Sequence, residues 1–367
     1  MASLFTSELK EGMITTTDTY STQGKLILPK DTVITKNIIN KLINNDVVFI
    51  EVSDDSSVEQ AKASDVDLSE SLQIDKSEFN HSIVDTPEYK KFRRRYEKNI
   101  ESMSDHMNDI VHKNAPIDVD RMLSNTLNIL DATSSPLSVF TMLSTLKSYD
   151  DSTFRHSLNV ALICNIFGRW LNLSDSEIEL LTVSGLFHDI GKLMIPESVI
   201  KKPDKLTEQE FAIIKQHPKL GYDLLKKRNV DLHIQYAALM HHEKYDKSGY
   251  PLGLEGSQID WVAQVITIAD IYEAMTANRV YRGPLSPFTV INMFENDGLK
   301  KYNPQYLLTF LEHVVNSYMN CKVKLSNGEE GDIVYINKVR LSKPMIKTKD
   351  SYIDLSKNTD LNIETVM

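Results

Sequence analysis

The pattern of hydrophobic positions divides the chain into segments with different predicted structures. Two apolar runs near the start, KLILP and DVVFIEV, are typical of β-strands, and the stretch from Thr35 to Asn44 between them has helical spacing. From residue 86 to residue 319 the spacing is helical, without a β-rich stretch. The tail returns to strands, CKVKL and DIVYIN, joined by a Ser326-Asn327-Gly328 turn. We predict an α+β multidomain protein: a small β-rich unit, an all-helical domain and a short C-terminal β-hairpin.

The helical region is predicted to contain many separate helices. Breaks near Pro116 and Pro136 divide residues 86–149. Further helices are predicted over 153–172, 176–190, 207–227, 231–243, 258–277 and 287–319. A long series of helices of this kind is typical of a domain whose functional side chains come from several helices meeting in one core.

Residues 51–80 differ from the rest of the chain in charge. They hold nine acidic and two basic residues, with serines between them and Phe79 as their one aromatic residue. The whole chain of 367 residues has a formal net charge of −10, so most of its negative excess lies here. A segment this acidic and this poor in aromatic residues does not favour a packed core. We predict a disordered or loosely ordered linker.

Composition excludes several classes of protein. With 41% apolar and 25% charged residues the chain is typical of globular proteins, and no run approaches the roughly 18 apolar residues of a membrane span. The start, MASLFTSELKEGM, lacks the basic head and apolar stretch of a secretory signal. Two distant cysteines, Cys164 and Cys321, exclude a disulfide framework, so we expect a cytoplasmic protein. The acidity argues against a nucleic-acid polymer as partner but not against a small phosphate ligand.

Histidines and aspartates are concentrated in the helical region, mostly in apolar surroundings. The residues are His156, His188, Asp189, His217, His241, His242 and Asp270. A single histidine on an apolar helix is more often a structural core residue than a ligand. This many ionisable groups are costly to bury unless they are paired or bound to metal. Imidazole nitrogens with carboxylates and no thiolate suit Fe, Mn, Zn or Ni better than Mg or Ca.

Three cationic side chains accompany the cluster. Lys192 follows the His188-Asp189 pair by four and three residues, so it stays on the same face if the helix continues. A lysine is a poor metal ligand but suits phosphate oxygens. Arg279 and Arg282, with Tyr281 between them, follow Asp270 and are either surface residues or further phosphate contacts.

Six stretches of this region follow one another in the order and spacing of a known family. They read HSLNV, HDIGKLMIP, KKPDKLTEQE, QHPKLG, HHEKYDKSGYP and IADIYEAMTANRVYR. Over about residues 140–320 the chain thereby resembles HD-GYP domains, the bacterial branch of the HD metal-dependent phosphohydrolases that degrades cyclic di-GMP. With this resemblance we predict five parts: a β-rich accessory unit (1–52), a linker (53–85), connecting helices (86–139), a catalytic HD-type domain (140–320) and a β-rich extension (321–367).

The resemblance implies that the histidines and aspartates bind two divalent ions, with Fe or Mn favoured and Zn, Ni or Mg as alternatives. Four residues would hold the first ion: His156, His188, Asp189 and Asp270. Asp189 would bridge to the second ion, which His217 and His241 would also hold. His242 would be a ligand of one of the two.

Further roles follow from the same resemblance. Lys192 would contact the scissile phosphate and act in catalysis with Asp189. Tyr250, in the signature loop Gly249-Tyr250-Pro251, would lie near substrate phosphate, which Arg279 and Arg282 would also contact. Two ions close together would lower the pKa of a bridging water, so that hydroxide attacks the phosphodiester.

The chain departs from the family pattern at three positions. Lys247 stands where a glycine is usual, and lysine resists a positive φ, so we expect the signature loop to differ in shape. Glu273 stands where an aspartate is usual, which adds one methylene. Ser152 stands where family members with three metals have a glutamate, with Asp151 poorly placed to substitute. We therefore predict two ions rather than three.

The resemblance implies a phosphodiesterase that hydrolyses cyclic di-GMP to pGpG, and onward to GMP, and so lowers second-messenger levels in bacterial signalling. One alternative is a phosphodiesterase for another cyclic dinucleotide, such as cyclic GMP-AMP, or a nucleotide phosphohydrolase. Another is a non-catalytic module that binds cyclic dinucleotides or docks a partner. Expected partners are cyclic di-GMP and signalling proteins such as GGDEF diguanylate cyclases.

Overall fold

The computed structural model describes most of the chain beyond residue 84. The described residues there are 85–133, 136–146, 153–202, 204–277, 283–358 and 360–367; nearer the start they are 2–5, 9, 12–16, 19–20, 26–35, 38–39, 42 and 49–53. The chain divides into two compact units, Met1–Lys76 and Ser77–Met367. Most of the predicted linker, residues 54–84, lies outside the described residues. The same is true of Asp151, Ser152, Arg279, Tyr281 and Arg282.

The first unit contains short β-strands. They are β1 (Ala2–Phe5), β2 (Ile14–Thr15), β3 (Thr19–Tyr20), β4 (Leu26–Leu28) and β5 (Phe49–Ser53). One sheet has the order β1-β5-β2 and a second pairs β3 with β4. Ile34, Leu42 and Val52 are buried in a small core. Strands β4 and β5 coincide with the two apolar runs of the sequence.

The second unit is mainly helical, as the sequence predicts. Its described helices are α1 (Pro87–His112), α2 (Val119–Leu130), α3 (Pro136–Thr145), α4 (Thr153–Trp170), α5 (Asp175–Phe187), α6 (Glu197–Ile200), α7 (Glu208–Ile214), α8 (His217–Lys227), α9 (Leu232–Met240), α10 (Trp261–Thr276), α11 (Pro287–Met293), α12 (Leu299–Lys301) and α13 (Pro304–Asn316). Two 3-10 turns, Ile190–Met194 and Gly256–Gln258, and a π-helical turn, Phe294–Gly298, connect some of them. No helix in the described part of the chain is long and apolar enough to span a membrane.

Two predicted long helices are interrupted. The one expected over 207–227 is two helices, because α7 ends at Ile214 and α8 begins at His217. Pro218 lies in the first turn of α8, where the missing proline N–H costs no helical hydrogen bond. The one expected over 287–319 is interrupted by the π-helical turn and begins again at Pro304, after the cap residue Asn303.

Helix α4 forms the centre of the second unit. Its residues from His156 to Gly168 are buried except Asn159, and the helix packs against α5 and α10. Gly185 of α5 lies so close to α4 that a Cβ atom there would come within 2.9 Å of the Ala161 Cα. The two backbones therefore pack directly against each other. This contact brings the end of α5 beside the first turns of α4.

Strands at the end of the chain form an antiparallel sheet that is larger than a hairpin. They are β6 (Lys322–Leu325), β7 (Glu330–Tyr335), β8 (Met345–Thr348), β9 (Tyr352–Asp354) and β10 (Ile363–Val366), in the order β10-β6-β7-β8-β9. The predicted turn joins β6 to β7, with Gly328 at φ +87. Val323 and Ile363 are buried in the same core as the helices.

Candidate metal centre

The structure brings all seven predicted metal ligands together. His156 lies in the first turn of α4 and Asp270 lies within α10. The others lie at helix ends: His188 and Asp189 follow α5, His217 begins α8, and His241 and His242 follow α9. All are buried except His242, which is half-buried. Residues more than 100 positions apart in sequence therefore converge on one point inside the helical core.

One half of the centre is built around the Oδ2 atom of Asp189. The Nε2 atoms of His156 and His188 lie 3.4 and 3.5 Å from this oxygen. The same two nitrogens lie 3.2 Å from each other. Asp270 adds a second carboxylate, with its Oδ1 atom 3.0 Å from His156 Nε2. Two imidazoles and two carboxylates thus face a common point.

The other half is built around the Oδ1 atom of Asp189. The Nε2 atoms of His217 and His241 lie 3.2 and 3.4 Å from it, and 3.2 Å from each other. His242 belongs to this group, since its ring offers a nitrogen within 4.8 Å of the other ligand atoms. The two oxygens of one carboxylate therefore face two separate pairs of imidazoles.

Hydrogen bonds fix which ring nitrogen of three of the histidines can face a metal. The Nδ1 atom of His188 lies 2.7 Å from the carbonyl of Gly185, and that of His217 lies 2.7 Å from the carbonyl of Ile214. His241 Nδ1 is 3.0 Å from the carbonyl of Ala237. A carbonyl oxygen accepts only, so each Nδ1 must carry the proton. Each Nε2 then presents a lone pair to the centre, as in metal-ligating histidines.

These contacts fit a bound cation better than a set of hydrogen bonds. Asp189 Oδ1 is buried and accepts no hydrogen bond from the described residues, although two imidazole nitrogens face it. Lone pairs of nitrogen and oxygen repel unless a cation lies between them. Two nitrogens bound to one ion at 2.0–2.1 Å lie about 2.8–3.4 Å apart for bond angles between octahedral and tetrahedral. The observed 3.2 Å separations fall in this range.

The protonation states agree with this interpretation. Burial lowers the pKa of His188 to about 3 and also lowers the pKa of His217 and His242, so these rings are neutral at physiological pH. Burial opposes ionisation of Asp189, but Lys192 and the nearby histidines hold its pKa well below the usual value. His156 differs: burial lowers its pKa, but Glu273 and Asp270 outweigh burial and raise it to about 9. A metal ion at this ring would replace a proton.

Lys192 lies next to the bridging carboxylate. The predicted helix does not continue to it, because α5 ends at Phe187 and a 3-10 turn follows. The turn nevertheless places the Lys192 ammonium in contact with Asp189 Oδ2. About a quarter of the lysine side chain is exposed while Asp189 is fully buried. Lys192 therefore lies between the buried carboxylate and solvent.

The signature loop covers His242. The ring of Tyr250 stacks on the His242 ring with centroids 4.7 Å apart and an interplanar angle of 25°. The Lys215 ammonium lies over the tyrosine ring, 5.1 Å from its centroid. Gly249 is required here, since a Cβ atom would lie 2.4 Å from the Glu243 Cα. The loop thus places a phenol beside His242, and Lys215, at the end of α7, adds a cation on that ring.

Glu243 holds this loop in place, and the sequence interpretation did not identify it. Its buried carboxylate accepts hydrogen bonds from the backbone N–H groups of Leu252, Gly253 and Leu254 at 2.6, 3.1 and 2.9 Å. A buried carboxylate is tolerated when several donors satisfy it. The signal available in the sequence was its place directly after His241-His242, in HHEKYDKSGYP.

Lys247 itself adopts the conformation that favours glycine. Its φ is +68, and its ammonium pairs with Glu255 at 3.0 Å on the surface. The change from glycine to lysine therefore strains the backbone at this position without excluding the left-handed conformation. The expectation that this residue gives the loop a different shape stays a prediction.

We expect Lys247→Gly to raise the free energy of unfolding by about 0.5 kcal/mol. The left-handed conformation costs a residue with a side chain about 1–2 kcal/mol, and glycine removes this cost. Glycine also makes the unfolded chain more flexible, which offsets about 0.5–1 kcal/mol of the gain in stability. Urea denaturation measures the difference. Lys247→Ala is the control, because it removes the ion pair but keeps the strain. Equal stability of the glycine and alanine variants would contradict the prediction.

Part of the chain is similar to known proteins. Residues 138–306 match the HD domain family. The chain is 33% identical over 204 residues to a cyclic di-GMP phosphodiesterase of Pseudomonas aeruginosa, covering 55% of this chain and 49% of the relative. It is 40% identical over 123 residues to the cyclic di-GMP phosphodiesterase response regulator RpfG of Xanthomonas campestris, covering 33% of this chain and 32% of the relative. It is 39% identical over 146 residues to 3'3'-cGAMP-specific phosphodiesterase 1 of Vibrio cholerae, covering 40% and 34%.

The chain matches half or less of the length of each of these relatives. Among solved structures it is similar to Bd1817, an HDG"Y"P protein from Bdellovibrio bacteriovorus, with a TM-score of 0.51 and 14% identity over 84% of this chain and 97% of the other. That likeness shows the fold. Residues 138–306 thus match the HD domain family, and the His188-Asp189 and Gly249-Tyr250-Pro251 motifs within them resemble those of HD-GYP domains.

Proposed function

We propose that the chain is a metal-dependent phosphodiesterase that hydrolyses cyclic di-GMP. The observation that carries the proposal is the carboxylate of Asp189, whose two oxygens each face a separate pair of imidazole Nε2 atoms. One carboxylate between two nitrogen pairs suits a bridging ligand of two ions. The names of the relatives in Pseudomonas and Xanthomonas support a cyclic dinucleotide as substrate.

The proposed ligands divide between the two oxygens of Asp189. His156, His188 and Asp270 would hold one ion on the Oδ2 side. His217, His241 and His242 would hold the other on the Oδ1 side. Two divalent ions would offset charge on the phosphoryl oxygens and lower the pKa of a water molecule between them. The donor set of imidazoles and carboxylates without thiolate favours Fe or Mn in this role, with Zn, Ni or Mg as alternatives.

Other side chains would orient the substrate. The Lys192 ammonium would donate hydrogen bonds to the scissile phosphate and stabilise its charge in the transition state. The Tyr250 hydroxyl would donate to a phosphate oxygen, because burial raises the pKa of this phenol and keeps its proton in place. Arg279 and Arg282 stay predicted phosphate contacts that lie outside the described residues.

Hydrolysis of one phosphodiester bond would open the ring to pGpG, and a second hydrolysis would give GMP. Diguanylate cyclases with GGDEF domains, which make the substrate, would be functional partners in the cytoplasm. Residues 140–320 would carry the activity, with the first unit as an accessory module. A second candidate substrate is 3'3'-cGAMP, because one relative at 39% identity carries that specificity in its name.

The decisive experiment is an assay of both substrates. The full chain, loaded anaerobically with Fe²⁺ or with Mn²⁺, is incubated with equimolar cyclic di-GMP and 3'3'-cGAMP, and products are separated by chromatography. We expect linear dinucleotide and mononucleotide from cyclic di-GMP, at the higher kcat/KM. Exclusive turnover of 3'3'-cGAMP would move the assignment to the second candidate, and metal-loaded protein without turnover would favour a binding module.

We expect Lys192→Ala to lower kcat by about 10²–10³ because a donor to the developing phosphate charge is lost. Metal content should stay at the wild-type value, since lysine is not a ligand. Lys219→Ala serves as control, because Lys219 is an exposed lysine on α8 that pairs with Asp223. If Lys192→Ala loses metal as His188→Ala does, its proposed role in phosphate binding is wrong.

A further inference from the structure

Glu273 lies behind the metal centre and contacts one of the proposed ligands. It follows Asp270 by one helical turn on α10 and is 5% exposed. Its Oε2 atom lies 2.5 Å from the Nδ1 atom of His156. Its Oε1 atom accepts a hydrogen bond from Asn159 Nδ2 at 2.8 Å. Each carboxylate oxygen thus has a defined donor.

The hydrogen bonds continue from Asn159 to another helix. Asn159 Oδ1 accepts from the Tyr96 hydroxyl at 2.7 Å, and Tyr96 is a fully buried residue of α1. Because a carboxylate cannot donate, the Asn159 amide must point its NH₂ group at Glu273 and its oxygen at Tyr96. The chain of donors therefore has a single consistent direction, from Tyr96 through Asn159 to Glu273. It joins α1, α4 and α10 at the back of His156.

His156 differs in this contact from three other histidines of the proposed metal centre. His188, His217 and His241 each bond a backbone carbonyl three or four residues earlier in the chain. Those contacts are built into the local fold. His156 instead depends on a side-chain carboxylate 117 positions away. A charged acceptor orients the ring and raises the basicity of the opposite nitrogen.

From these contacts we infer that Glu273 is a positioning residue for the metal ligand His156, and that Asn159 and Tyr96 hold Glu273 in place. Glu273 keeps the proton on Nδ1 and aims Nε2 at the ion on the Oδ2 side of Asp189. This assignment gives a role to the position where the family pattern has an aspartate. The inference deepens the proposed function and rests on it only in taking His156 as a ligand.

Metal binding without substrate tests the inference. The metal-free chain of 367 residues is titrated with Co²⁺ against a competing chelator, while the visible absorption spectrum of the cobalt is recorded. We expect Glu273→Gln to weaken one of two Co²⁺ sites by about 10–100-fold and to shift its spectrum, because glutamine cannot accept from both His156 and Asn159. The second site, at His217 and His241, should keep its affinity.

Two further variants separate positioning from general loss of structure. Tyr96→Phe removes the distal hydroxyl and should weaken the same site by a smaller factor. Its matched control is Tyr272→Phe on α10, which deletes a buried phenol hydroxyl bonded at 2.7 Å to the Tyr318 hydroxyl rather than to Asn159 or Glu273. This control should leave both cobalt affinities unchanged. Glu273→Asp, which restores the family's carboxylate, should recover part of the affinity that Glu273→Gln loses.

The inference is overturned if folded Glu273→Gln binds both Co²⁺ ions with wild-type affinity and spectrum. It is also overturned if Tyr272→Phe weakens the site as much as Glu273→Gln does, since the effect would then be general. His156→Ala tests whether His156 is a ligand at all. If this variant keeps both ions, His156 is not a ligand, and both the ligand assignment and the inference fail. Failure of the substrate assignment alone would leave these cobalt results unaffected.

Discussion

Replacing Asp189 by asparagine is expected to abolish hydrolysis and to remove at least one of two bound ions. The amide has one oxygen acceptor, so it cannot offer a negative oxygen to both imidazole pairs. Its NH₂ group would face the Nε2 lone pairs of one imidazole pair, which is either His156 with His188 or His217 with His241. An ion could then no longer bind between that pair and residue 189. Stabilisation by metals is worth several kcal/mol, and each 1.36 kcal/mol is a factor of ten, so we expect a loss of at least about 10³ in kcat/KM.

Metal analysis and the chromatographic assay together measure this result. Asp223→Asn is a suitable control, because Asp223 is an exposed carboxylate paired with Lys219. The volume of the Asp189 side chain is almost unchanged by the substitution, so the core should stay packed. An Asp189→Asn protein with two ions and more than a tenth of wild-type activity would rule out a bridging role.

The helical part of the fold was predictable because its signal is local. Apolar stretches such as ALICNIF on α4 and VSGLF on α5 reflect burial that each helix carries in its own sequence. The C-terminal sheet was underestimated because its pairing is not local. Strand β10 pairs with β6, which lies about 40 positions earlier, and its residue Ile363 is the one buried side chain of that four-residue strand. A strand this short with one buried position has no detectable alternation.

The sequence predicted which residues lie together at the candidate site, and their role as ligands stays a prediction. His188-Asp189 and His241-His242 stand in motifs whose spacing is visible in the chain. The residues that contact these side chains from a second layer were not predicted, because their contacts depend on which helices pack together. Tyr96 meets Asn159 across 63 positions, and Glu273 meets His156 across 117. Asn159 alone had a local signal, as it follows His156 by three residues and so shares its helix face.

Loss of one metal ion is expected to have the second large effect on kcat. The structure offers two groups of ligand atoms that share Asp189: one with His156 and His188, the other with His217, His241 and His242. We expect two ions per chain in the wild type. His217→Ala should lose the ion on the Oδ1 side and His188→Ala the ion on the Oδ2 side, each with a fall in kcat of at least about 10²–10³, equivalent to a few kcal/mol of lost charge stabilisation.

The exposed residue His112, at the end of α1, provides the control: His112→Ala should keep both ions and full activity. Anomalous scattering from crystals would locate each ion and identify which variant lost which. Three ordered ions in the wild type, with Asp151 or His242 holding the third, would contradict the prediction. Two ions are expected because Ser152 stands at the position in the sequence where family members with three metals have a glutamate, and a neutral hydroxyl is a poor ligand for a divalent ion.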